Sequence, residues 1–144
     1  MEQIHATCIE IDGIGVLIRG ASGSGKSDLA LRLIDAGAQL VADDRVDLRL
    51  DGGKISASPP HEIAGMLEVR GVGILKMAFK AETSIGVVVE LVAAENVERL
   101  PEAPLCHYME VPVRLVSVAP FEASAPAKVR LAAALVAGRG SLVS

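Results

Sequence analysis

Residues 20–27 read Gly-Ala-Ser-Gly-Ser-Gly-Lys-Ser, a complete G-x-x-x-x-G-K-[ST] run. Such a run binds phosphate groups. Gly20, Gly23 and Gly25 let the backbone curl until several N–H groups point inward at phosphate oxygens, and Ala21, Ser22 and Ser24 complete the loop. Lys26 is placed to reach terminal phosphates, and the Ser27 hydroxyl to ligate Mg²⁺. A second group of the right type follows: Asp43 and Asp44 stand about 20 residues on, where phosphate-loop folds bring an acid beside the metal. One carboxylate suffices to organise a metal. The other is then free to accept a proton from an attacking hydroxyl.

These side chains work only if local structure presents them. Gly15-Val16-Leu17-Ile18-Arg19 is a short apolar run of strand type ending at Gly20. Asp28 to Asp35 carries apolar residues at helical spacing, with Gly37 as a stop. Strand, glycine loop and helix is the arrangement the motif requires, and the helix start aims its positive dipole end at the bound anion. Gln39 to Ala42 is a short buried strand that ends in the acidic pair.

The rest of the chain is rich in strand signals. Residues 3–11 read as one strand, joined through the Asp12-Gly13 hairpin turn to a strand over 14–19. Further strands are expected over 46–50, 54–58, 66–70, 85–92 and 111–118, with 101–110 as a loop. A terminal Ala-rich helix is expected over 126–137, with Pro126 in its first turn. Two helices and about seven or eight strands are too few helices for a regularly alternating doubly wound sheet. The expected class is therefore α/β with a mixed, strand-rich sheet.

Composition limits the function. A chain of 144 residues fits one domain, and at 51% hydrophobic it can build a core from Val, Ile, Leu and Ala with only 2% aromatic residues. A net charge of −4 and scattered basic residues argue against nucleic acid as a partner. The most apolar stretch, Ile85 to Ala94, is broken by Glu90 and too short to span a bilayer. Cys8 and Cys106 lie far apart, lack metal-ligand spacing and fit reduced thiols of a cytoplasmic protein. Met1-Glu2-Gln3-Ile4-His5 does not read as a signal peptide, in keeping with the expected cytoplasmic location.

Two weaker constellations complete the reading. Counting out from the Asp12-Gly13 turn pairs Ile11 with Ile14, Cys8 with Leu17 and His5 with Gly20, so His5 is expected level with the glycine loop. Glu68 and Arg70 flank Val69 and share a strand face. By spacing alone that pair fits an ordinary exposed face; beside the loop it would bring an acid to Mg²⁺ and a base to phosphate.

In these residues the chain resembles HPr kinase/phosphorylase, the bacterial enzyme that phosphorylates a serine of the phosphocarrier protein HPr. The matching stretches are His5, Gly20 to Ser27, Leu40-Val-Ala-Asp43-Asp44, and Leu67-Glu68-Val69-Arg70-Gly71-Val72-Gly73-Ile74. The last follows the family's E-[IL]-R-G-[LV]-G-I signature. The resemblance implies a P-loop kinase domain using ATP and Mg²⁺, with HPr or a paralogue as acceptor. It implies that Lys26 binds phosphates and that Ser27 and Glu68 ligate the metal. Asp44 would take the serine proton with Asp43 beside it, although either aspartate fits by sequence. His5 would support the pair, Arg70 would serve both reactions, and Arg99 would be a later catalytic arginine. It also implies a homo-oligomer, since the family is hexameric.

The departures carry expectations of their own. The family's N-terminal domain is expected to be absent, leaving residues 1–144 as a catalytic domain. Pro112-Val113-Arg114 continues as Leu115-Val116-Ser117-Val118 in place of the family's Pro-Gly-Arg-Asn, a segment linked to dephosphorylation, so phosphorylase activity is expected to be weakened or lost. Two other functions fit the loop and the acids without the signature: a small-molecule kinase and a non-catalytic ATP-sensing module. No Asn-Lys-x-Asp run for reading guanine is present.

Overall fold

The computed structural model describes residues 1–143. In chain order its strands are β1 (Glu2–Ile4), β2 (Thr7–Ile11), β3 (Ile14–Arg19), β4 (Gln39–Ala42), β5 (Val46–Asp51), β6 (Lys54–Ser58), β7 (Met66–Val69), β8 (Gly73–Lys76), β9 (Thr83–Leu91), β10 (Leu105–Tyr108) and β11 (Val111–Val118). The helices are α1 (Lys26–Asp35) and α2 (Ala125–Val136). The mixed, strand-rich α/β class expected from the sequence is what the chain forms.

The centre is parallel: β3 and β11 each run alongside β9, so their carboxyl ends share one edge. The antiparallel strand β2 joins β3 to β4, which returns in the direction of β3 and ends at the same edge. The first residues of β9 pair antiparallel with β6, which extends the sheet through β5 to β1. A separate two-stranded hairpin, β7–β8, stands off this sheet.

Burial follows from alternation along the central strands. Val16 and Ile18 of β3 face α1 and α2 with Leu29, Leu33, Val87, Val89 and Val129, whereas Leu17 points to the other face with Cys8, Val41, Val46, Leu48 and Val88. A strand covered on both faces reads as a continuous apolar run, as residues 15–18 do. Each such fully buried aliphatic side chain contributes about 1.5–3 kcal/mol, so the strand leading into the glycine loop is the best anchored segment of the chain. Cys8 is buried and Cys106 half-buried, both as free thiols, and burial pushes both thiols above the ordinary value.

Three local expectations change. Residues 3–11 do not form one strand: the chain breaks at His5-Ala6, and β1 leaves the hairpin to pair with β5 through Gln3 opposite Asp47. Residues 101–110 are not all loop, because β10 pairs with β11 across a turn at Met109-Glu110, both at positive φ. That turn lacks the Gly, Asn or Asp that marks such geometry in a sequence. The glycines of residues 71–73 hid β8, which with the separate β1 and β10 brings the described residues to eleven strands against the expected seven or eight.

Candidate active site

The strand edge that collects the carboxyl ends of β3 and β4 also carries the glycine loop. Gly23 and Gly25 both take positive φ, 75° and 102°, which folds the loop so that α1 begins at Lys26. Above it lies a cavity of about 900 Å³, within the range of small-molecule sites. Its lining includes Ser22, Gly23 and Gly25 to Asp28 of the loop and α1, Asp43-Asp44, and Glu68 to Ile74 of the β7–β8 hairpin.

Asp43 is the hub. It is only 6% exposed, and its Oδ1 accepts hydrogen bonds from Ser27 Oγ at 2.7 Å and Thr7 Oγ1 at 2.8 Å. Its Oδ2 faces the Glu68 backbone N–H at 3.4 Å, which ties the hairpin to the acidic turn. Asp44, one residue on, is held at φ 71° and turns outward. Its side chain is 75% exposed, with Arg45 at 3.8 Å. Aspartate tolerates the left-handed region better than most residues, so the turn that separates the two carboxylates suits its sequence.

The loop's own polar groups fit a polyphosphate with a magnesium ion. Lys26 Nζ folds back on the Gly20 and Ala21 carbonyls, 3.0 Å from each, a placement from which a phosphate oxygen can draw it. Ser24 Oγ is buried without a hydrogen-bond partner, and a Cβ on Gly20 would sit 2.6 Å from it. Among the described residues no cluster of three or more Asp, Glu, His or Cys could hold a metal alone. Magnesium is usually held by one or two protein oxygens plus substrate phosphates, and Ser27, Asp43 and Glu68 supply that kind of donor set.

The sequence matches the same reading. Residues 1–135 match the family model of the HPr Serine kinase C-terminal domain. The chain belongs to this family. It is similar to HPr kinase/phosphorylase of Clostridium kluyveri, 37% identical over 153 residues, covering 99% of this chain and 49% of that protein. The same enzyme of Clostridium tetani is 51% identical over 73 residues, 51% of this chain and 24% of that one. The chain thus spans half the length or less of these curated relatives. In three dimensions it is similar to the Hpr(Ser) kinase/phosphatase from Coxiella burnetii, with a TM-score of 0.82 and 27% identity over 92% of this chain and 93% of that one.

Within this family frame, the expected site residues separate into two groups. The loop from Gly20 to Ser27, Asp43, Asp44, Glu68 and Arg70 gather around the cavity, although Gly20, Ala21 and Ser24 are not among its lining residues. Glu68 and Arg70 form no ion pair among the described residues. His5 and Arg99 are not among the lining residues: His5 is exposed at the break between β1 and β2, two residues before Thr7, and Arg99 is exposed in the segment between β9 and β10. The β2–β3 ladder keeps the counted register only as far as Thr7 opposite Ile18. Thr7, on the same strand parity as His5, therefore takes the place beside the acid. Sequence reading missed Thr7; its parity was the available signal.

Proposed function

We propose that this chain transfers the terminal phosphoryl group of ATP to a serine hydroxyl of HPr or a paralogue. The observation that carries the reading is the division of labour between the adjacent aspartates. Asp43 is buried and committed to Ser27, Thr7 and the hairpin, whereas Asp44 is 75% exposed beside the cavity with only a long 3.8 Å pairing to Arg45. A transferase that must both fix its metal-binding hydroxyl and accept a proton can divide the two tasks between such acids.

In this mechanism the loop amides and Lys26 hold the phosphates, and Ser27 with Glu68 orients the metal. Bound Mg²⁺ supplies charge neutralisation on the phosphates. Asp43 fixes the Ser27 hydroxyl. Asp44 takes the proton of the acceptor serine, and Arg70, which lines the same cavity, would offset charge on the transferred phosphoryl group. The proposal gives no step to His5 or Arg99, which do not line the cavity. The reverse reaction, attack of phosphate on phosphoserine, is proposed to be weak, because Leu115-Val116 replaces the Pro-Gly-Arg-Asn stretch.

Mass spectrometry of HPr incubated with the chain and Mg-ATP tests the reading, with a single phosphoserine expected. ATP binding without transfer would point to a sensing module. Pyrophosphate release from phospho-HPr and phosphate at the rate of the forward reaction would refute the weakened phosphorylase.

A further inference from the structure

Phe121 is one of two phenylalanines in a chain of 2% aromatic residues, yet it is 72% exposed. Single exposed apolar side chains are ordinary, so its position rather than its exposure carries the argument. It stands on the short segment between β11 and α2, at the edge where the parallel strands end and where ligands of such sheets bind. The ring lies against the glycine loop: a Cβ on Gly25 would sit 2.8 Å from Phe121 Cζ and 3.4 Å from Pro120 Cβ. The ring also lines the cavity that holds Lys26, Ser27 and Asp44.

The segment is held in place. Arg32 of α1 donates to the Pro120 carbonyl and pairs with Asp28 at 3.1 Å. The Val92 N–H bonds Val118 O at 3.0 Å, and the Glu122 N–H bonds Ala119 O at 3.3 Å. The ring is thus carried on an anchored turn, with one edge on the loop backbone and most of its surface open.

Strand order gives the direction of the ligand. Across this edge the strands run β4, β2, β3, β9, β11. The acids end β4 on one side of the glycine loop, and Phe121 follows β11 on the other. A triphosphate whose reacting end points to Asp44 must therefore extend its nucleoside away from β4, past Gly25, towards Phe121. We propose that Phe121 is the platform on which the base of the bound nucleotide stacks. This rests on the phosphate-loop reading above.

Inorganic tripolyphosphate separates the two assignments, because it offers the phosphates without a base. Phe121→Ala is expected to weaken ATP binding in Mg²⁺ by roughly tenfold, the scale of one lost base–aromatic stack. Tripolyphosphate binding should stay within about twofold, and Phe121→Tyr should restore ATP affinity. Since the chain contains no tryptophan, Phe121→Trp also installs a single reporter. Its emission should be quenched saturably by ATP and left unchanged by tripolyphosphate. Wild-type affinity for ATP in Phe121→Ala, or equal quenching by both ligands, would overturn the platform while leaving the loop assignment standing. Failure of the wild-type chain to bind either ligand would overturn both.

Discussion

The two walls of the cavity differ in how they are built. The phosphate-loop wall hangs from strands buried on both faces, and Asp43 beneath it is saturated with hydrogen bonds. The β7–β8 wall opposite is a two-stranded hairpin, with Val72 70% and Ile74 68% exposed. An isolated hairpin is marginal in water, so this one depends on its contacts with α1, Asp43 and the segment that follows it. On the proposed function, the difference suggests where each task sits: donor phosphates on a deeply buried scaffold, acceptor contacts on an exposed apolar edge. That division can be broken at several points.

The largest effect is expected from Lys26→Ala. Phosphoryl transfer should fall by about a thousandfold or more, since one preorganised charge at the phosphates is lost. Lys26 bonds only two loop carbonyls, so the melting temperature should stay within about 2 °C. Transfer at the wild-type rate would refute the role of the loop.

Next comes the aspartate pair, whose members should fail in different ways. Asp44→Asn, which keeps a side chain tolerant of the φ of 71°, is expected to lower transfer by about 10²–10⁴-fold, as a lost general base does, with stability unchanged within about 0.5 kcal/mol for an exposed site. Asp43→Ala should lose transfer and also about 1–3 kcal/mol of stability, because Thr7 and Ser27 would be left without their acceptor. Urea unfolding beside transfer assays reads both. Equal destabilisation by the two substitutions would erase the distinction drawn between them.

The same contrast explains what was legible in the sequence. The β3–loop–α1 unit and the strand ending at Asp43 are set by local signals: an apolar run, fixed glycines and a helical period. They fold as read. His5 was counted to the loop on the assumption that strand pairing continues to the end of an alternating run. It stops because Glu2 to Ile4 find a better partner in β5, a non-local pairing that no local pattern records. The β7–β8 hairpin was half seen, since Gly71 and Gly73 read as loop although they close a strand pair. Phe121 was passed over because a lone aromatic in a turn carries no periodic signal; only the fold brings it to Gly25.

The apolar hairpin edge is the next place to press. Replacing Val72 and Ile74 together by Ser should raise KM for the carrier protein about tenfold, equivalent to about 1.4 kcal/mol of lost contact. ATP affinity and stability should be unchanged, since neither side chain is buried. A loss of ATP affinity equal to the loss of carrier affinity would place both walls in the nucleotide site.

The smallest effect is expected at the hairpin's tether. The Met77 N–H bonds Gly65 O at 2.8 Å and closes the base of the hairpin, and the Lys80 N–H bonds Leu40 O at 2.7 Å. The Lys80 ammonium then reaches Glu10 Oε1 at 3.0 Å, while Thr83 Oγ1 donates to Glu10 Oε2 at 2.6 Å. Burial alone would raise the Glu10 carboxyl, but the bonds from Thr83 and Lys80 and the Lys80 charge outweigh it and hold the group below its ordinary 4.5. A depressed folded value stabilises the fold above that ordinary value, and the contribution is lost as pH falls below 4.5 through the folded one. Lys80 is half exposed, so solvent screening keeps the term to about 1 kcal/mol. Glu10→Gln keeps an acceptor and removes the charge. It should lower stability at pH 7 by about that amount and flatten the stability–pH curve below 4.5. Hydrogen exchange localises the effect: on acidification the amides of β7 and β8 should lose protection before those of β3 and β9 in the wild type, and show no such step in the variant. Parallel curves for the two proteins would mean that the hairpin is held by something other than this carboxylate.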